Sequence, residues 1–130
     1  MQGRHRKVVV SGNAPKPIGP YSAGIAHGDL VFASGSLGLD PQSGELVPGG
    51  IEAETRQSLN NLAAILEAAG SSMSLVLKTT VFLRDMADFS RMNAVYGEFF
   101  RDEPPARSAV QVAALPKGAA VEIEAVAALR

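Results

Sequence analysis

The chain has 130 residues, the size of one domain, and 46% of them are hydrophobic, enough for a substantial core. Lys plus Arg number 12 against 13 Asp plus Glu, a formal charge of −1 that argues against a polyanion-binding surface. There is no cysteine, which excludes disulfides, thiolate metal sites and cysteine nucleophiles and fits a reducing, cytoplasmic setting.

Residues 1–7, MQGRHRK, collect Arg4, Arg6 and Lys7 and read as a flexible, solvated tail; residues 8–130 read as a single domain. The following KVVV is too short for the apolar segment of a signal peptide. No apolar run approaches the ~20 residues of a membrane helix. The stretch SGNAPKPIGPYSAG is an irregular entry, because Pro15, Pro17 and Pro20 disfavour a helix. LVFASGSL (30–37) reads as a strand whose Gly35 permits a bulge or a close backbone approach. DPQSGELVPGG is a turn region.

Residues 51–69 predict a helix. Thr55, Leu59, Leu62, Leu66 and Ala69 recur on one face, Glu52 and Glu54 suit the dipole of the first turn, and Gly70 ends it. LVLKTTVFL (75–83) is rich in β-branched residues and predicts a strand. A second helix is predicted over 87–100, with Phe89, Met92, Tyr96 and Phe99 on its face. SAVQVAAL and AVEIEAVAAL predict two closing strands, separated by a Pro-Lys-Gly turn at 116–118 and taken as adjoining.

Two amphipathic helices cover one face of such a sheet. In the last strand Val121, Ile123 and Ala125 share one face, and Glu122, Glu124 and Val126 the other. Both alternations of the strand before it are largely apolar. A sheet apolar on both sides with helices on one predicts burial of the bare face in an oligomer.

Metal and nucleophile chemistry find little support. His5 and His27 share no ligand spacing with each other or with carboxylates. GSLG lacks the Lys-Ser/Thr of a phosphate loop, and no G-x-S-x-G elbow is present. What remains is Arg107 at a strand start, Glu122 in a later strand, Tyr21 in GPYSAG and Gly35 in ASGS. Singly, each has an ordinary account: an ion pair, a solvated face, a packing residue, a bulge.

Together they carry a resemblance. N-A-P-x-x-I-G-P-Y-S at 13–22, A-S-G at 33–35, R-Q-S-L-x-N at 56–61, K-T-T-V-F at 78–82, P-A-R-S at 105–108 and L-P-K-G-A-x-V-E-I-E-A at 115–125 resemble the Rid family of reactive intermediate deaminases, the YjgF/L-PSP type. The resemblance implies an α+β, chorismate-mutase-like fold: a mixed sheet with two helices on one face, three copies closing into a barrel as a homotrimer. It implies hydrolysis of enamines and imines such as 2-aminoacrylate, 2-iminopropanoate and 2-iminobutanoate to a 2-keto acid and ammonia, in a cleft between subunits. No cofactor, metal, nucleic acid or membrane is implied. Arg107 would grip the substrate carboxylate, Glu122 would orient water or relay protons, and Tyr21 would close the pocket. Backbone groups of Gly35 and Ala109 would bind substrate, and Asn93, in R-M-N-A-V-Y, would act beside them or at an interface. Departures are Ala109, where many members carry cysteine, Ser36, where some carry glutamine, and Ala23, where glutamine is frequent. Two other readings use the same residues: a non-catalytic binder or sensor of small carboxylates, and the endoribonuclease or translation-inhibitor activity reported for some relatives.

Overall fold

A computed structural model describes residues 5–130; the first four residues of the expected tail lie outside the described residues. Strand β1 (Lys7–Val9) starts where that tail was expected to end, and β2 (Gly24–His27) follows the proline-rich entry. Neither short strand was expected: Ala26 and His27 are extended, and the two-residue turn Gly28–Asp29, with Gly28 at φ +61°, leads back into the next strand. Then come β3 (Leu30–Leu37), α1 (Gly50–Ala68), β4 (Val76–Leu83), α2 (Phe89–Phe99), β5 (Ala106–Gln111) and β6 (Val121–Ala128).

Helix α1 stops as Gly70 predicts. Gly70 adopts φ +88°, its N–H bonds to the Glu67 carbonyl, and the Ser71 N–H bonds to the Leu66 carbonyl. Helix α2 begins later than predicted, because Met86–Asp88 form a 3₁₀ turn capped by the Asp85 carboxylate on the Ala87 N–H.

The six strands run in the order β1-β2-β3-β6-β4-β5, all neighbours antiparallel except β4 and β5. The expectation that the last two strands adjoin is therefore corrected: β4 lies between them. The strand predicted over 108–115 also starts earlier and ends at Gln111, where the chain leaves the sheet edge and crosses to β6. The parallel β4–β5 pair is joined by the crossover through α2 that such a pair needs, and the chain then steps over β4 to reach β6, whereas a hairpin would have made β5 and β6 neighbours.

Both helices pack on one face, as predicted. Val31, Leu59, Leu62, Leu66, Val81, Leu83, Met92, Val121 and Ile123 form the fully buried centre between them and the sheet. The opposite face carries Phe32, Phe82, Val110, Glu122, Glu124 and Val126, and it is uncovered in the protomer: Phe32 is 46% and Val110 43% exposed.

Candidate active site

The residues predicted to carry chemistry fall into two groups. The first lines a cavity of about 450 Å³ formed by the proline-rich entry, β3 and β6. Tyr21, Gly35 and Glu122 all face it, with Ile18, Ser36 and Glu124. The entry loop is pinned to β3 by the Ser34 hydroxyl donating to the Ser22 carbonyl (2.6 Å) and the Ser34 N–H to the Ala23 carbonyl (2.9 Å).

Gly35 sits where the β3–β6 register shifts, between Ala33 and Ser36. A Cβ there would lie 2.5 Å from Oε2 of Glu122. Glycine is thus required by close approach, as the sequence suggested, and the object approached is the carboxylate itself. Burial raises the Glu122 pKa above the ordinary glutamate range, and repulsion from Glu124 adds to the rise. A carboxylate held this way is a better proton acceptor than one in water.

The second group lies on the edge strand β5. The Arg107 Nη1 donates to Asn93 Oδ1 at 2.7 Å. The guanidinium lies over the Tyr96 ring, 4.8 Å from its centroid, and 5.5 Å from that of Phe89. The Tyr96 hydroxyl shares a 2.6 Å hydrogen bond with Thr79, whose side chain is fully buried. Burial raises the Tyr96 pKa, against opposing contributions from Thr79 and the nearby Arg107 charge.

Ion pairs among the described residues join Arg56 to Glu98 and Arg91 to Asp88, and Arg107 is in neither. The ordinary account of Arg107, an ion pair, is not what is found. Its fork is oriented by one acceptor and two rings, and its remaining N–H groups have no partner among the described residues. Ala109 follows two residues on, its side chain packed on the same face.

The two groups do not meet within a protomer. Arg107 pairs across β4 with Thr79, and Glu122 with Phe82. Thr79 and Phe82 are three residues apart on one strand and point to opposite faces. Arg107, Asn93 and Ala109 therefore belong to the helix-covered side of one sheet edge, and Tyr21, Gly35 and Glu122 to the cavity across the bare side.

Sequence reading missed the support of Arg107. Phe89 and Tyr96 were read as core-facing, and the spacing Phe89, Asn93, Tyr96 was the available signal: steps of four and three put all three on one helical face. Among the described residues no group of His, Cys, Asp and Glu is arranged to hold a metal ion, and no helix is long and apolar enough to cross a membrane.

Comparison with known proteins adds to this geometry. The family described as Endoribonuclease L-PSP matches residues 11–129. The RutC family protein PH0854 of Pyrococcus horikoshii is 52% identical over 122 residues, 94% of this chain and 97% of that protein. A mouse protein named 2-iminobutanoate/2-iminopropanoate deaminase is 52% identical, over 94% of this chain and 90% of its own. The crystal structure of Escherichia coli TdcF with bound serine superposes with a TM-score of 0.91 at 43% identity, covering 95% of this chain and 99% of that one. The separated motifs, the mixed six-stranded sheet under two helices and these likenesses over nearly the whole length agree, and the chain belongs to the Rid (L-PSP) family.

Proposed function

We propose that the protein is a 2-iminobutanoate/2-iminopropanoate deaminase that hydrolyses small 2-imino acids and their enamine tautomers to 2-keto acids and ammonia. One observation carries the reading: a half-buried guanidinium held over two aromatic rings with donors to spare, in a chain half identical to proteins named for this reaction. A planar fork matches a carboxylate with two parallel hydrogen bonds. Each such charge-assisted bond contributes about 1.5–3 kcal/mol. The serine bound to TdcF is a small molecule with that same carboxylate group.

The working unit is a homotrimer whose bare sheet faces pack together in a closed barrel. Each site then joins Arg107, Asn93 and the Ala109 backbone of one subunit to Tyr21, Gly35 and Glu122 of the next. In the reaction, Arg107 anchors the carboxylate and Glu122 takes a proton from a water molecule as its oxygen bonds to the imine carbon. The imine nitrogen takes up protons, the carbon–nitrogen bond of the tetrahedral adduct breaks, and ammonia leaves as the hydroxyl loses its proton to give the keto group. Tyr21 closes the pocket over the acid, and backbone groups of Gly35 orient the water. Positioning and charge stabilisation suffice for so reactive a bond, so the chain's own residues carry the reaction without a cofactor. The setting is cytoplasmic, and the functional unit is the single domain 8–130.

The test follows decay of 2-iminopropanoate released by an amino-acid oxidase or a dehydratase. Purified protein is expected to accelerate the decay. Unchanged decay with saturable binding of pyruvate would instead establish a carboxylate binder. Salt-dependent RNA cleavage that survives Arg107→Ala would establish the nuclease reading.

A further inference from the structure

Helix α1 buries a polar edge as well as an apolar face. Glu54, Ser58 and Asn61 recur at steps of four and three, and they are 7%, 0% and 3% exposed. A buried polar group left unsatisfied costs about 1–3 kcal/mol, so their partners matter. All three bond to backbone, and all at the same place. Ser58 Oγ donates to the Ser36 carbonyl (2.7 Å), and Ser36 Oγ donates back to the Ser58 carbonyl (2.9 Å). Asn61 Nδ2 donates to the carbonyls of Leu37 (3.2 Å) and Leu39 (2.8 Å), while Gln57 Nε2 donates to Asn61 Oδ1 (2.8 Å). Glu54 Oε1 accepts from the Ala120 N–H at 2.8 Å.

These contacts bracket the cavity. Ser36 follows Gly35, Leu37 is the cross-strand partner of Glu122, and Ala120 stands two residues before it. The register shift at Gly35 interrupts the β3–β6 ladder at this end of the strands. Beside this interruption the Ser36 carbonyl is met by the Ser58 hydroxyl of α1. Gly38 shows how near the helix comes, since a Cβ there would be 2.7 Å from the Glu54 Cα.

We propose that Glu54, Ser58 and Asn61 are positioning residues: the polar edge of α1 clamps the Gly35 bulge and the start of β6 so that the Gly35 backbone and the Glu122 carboxylate share one water. The proposal rests on the deaminase reading above and assigns a role in it to the helix motif R-Q-S-L-x-N. It also separates the two halves of the site. Arg107 is held by α2, and the water-holding half by α1.

The experiment compares Ser58→Ala, Asn61→Leu, Glu54→Leu and Glu54→Gln with the wild type. Three quantities are read: kcat and KM for 2-iminopropanoate, Tm, and the Glu122 carboxyl titration by ¹³C NMR. Ser58→Ala, Asn61→Leu and Glu54→Leu are expected to lower kcat by about 10- to 100-fold, the cost of displacing reacting groups by a fraction of an ångström to one ångström. KM should stay within about threefold, because the carboxylate grip is untouched. The Glu122 titration should move down towards the ordinary glutamate value as the carboxylate gains water. Glu54→Gln keeps an acceptor for the Ala120 N–H and should retain the wild-type kcat. A lowered Tm with kcat within about twofold of wild type and an unmoved Glu122 titration would show a structural tie only and overturn the proposal. Should Asn61→Leu or Glu54→Leu fail to fold, Ser58→Ala decides by the same criteria. The titration needs no substrate, so inactive wild-type protein would sink the deaminase reading while leaving the clamp testable by NMR.

Discussion

At the scale of single residues, the proposed function puts the chemistry on Arg107 and Glu122, and each answers to a different measurement. Arg107→Ala removes the fork and is expected to lower kcat/KM by about 10²-fold, equivalent to ~3 kcal/mol of charge-assisted contact. Arg107→Lys keeps the charge without the planar fork or the stacking and should recover only part of that loss. Steady-state kinetics checks both, and wild-type rates in Arg107→Ala would refute the anion grip. If Glu122 acts as the carboxylate proposed above, activity should fall with decreasing pH through a midpoint above the ordinary glutamate value, where burial and Glu124 place it. The same shift has an opposite consequence for stability. A carboxyl whose pKa is raised by folding stabilises the fold below its unfolded pKa, and that contribution is lost as pH rises through the folded value. Glu122→Gln should therefore abolish the pH-dependent step in rate yet raise Tm at neutral pH and not at acid pH, as thermal melts at two pH values would show. Arg107 was legible because a guanidinium at a strand start needs a partner. Its aromatic bed was not, because Phe89 and Tyr96 satisfy the same apolar periodicity whether they face a core or a cation.

At the scale of elements, legibility followed the strength of local periodicity. Helix α1 and strands β3 and β4 repeat a pattern over eight or more residues and stand within one residue of where they were read. Strands β1 and β2 span three and four residues beside glycine- and proline-rich chain, too short for an alternation to declare itself. The β4–β5 pairing was hidden for another reason: sequence neighbours favour the hairpin reading, and nothing local encodes a parallel partner. Glu54 shows a subtler failure. It was expected in the first turn to suit the helix dipole, but α1 begins at Gly50, only Glu52 lies in that turn, and Glu54 is buried on the Ala120 N–H, a destination set by tertiary packing. The bulge in β3 was half legible, since Gly35 signalled close approach without naming Glu122. Gly35→Ala tests that approach. The contact is with a side chain that can swing aside, so Tm should fall only modestly. The carboxylate is displaced from its water, so kcat should drop by about 10²-fold. Equal losses of stability and activity, or retained activity, would show that the approach serves packing alone.

At the scale of the whole molecule, the decisive feature is that one sheet separates the two halves of the proposed site. Arg107 is fastened to α2 on the covered side, and Glu122 faces the bare side two strands away. The two side chains leave the sheet on opposite faces, which is why the proposed function completes each site with a neighbouring subunit. On that proposal, the exposed Phe32 and Val110 of the bare face are what neighbouring subunits would cover. If the site joins neighbours in a closed ring, defects in its two halves must complement. Arg107→Ala and Glu122→Gln homotrimers are each expected to be nearly inactive. Mixed by unfolding and refolding together in equal amounts, they should recover about a quarter of the wild-type sites, since a seam is intact only when a subunit retaining Arg107 meets one retaining Glu122 in the right order. The double variant Arg107→Ala/Glu122→Gln, refolded with wild type, leaves intact seams with the same frequency and calibrates the yield. Recovery in the first mixture to the level of the second places the two groups on different subunits. Were both on one protomer, the first mixture would stay inactive however well it refolded, while the second would keep half its sites.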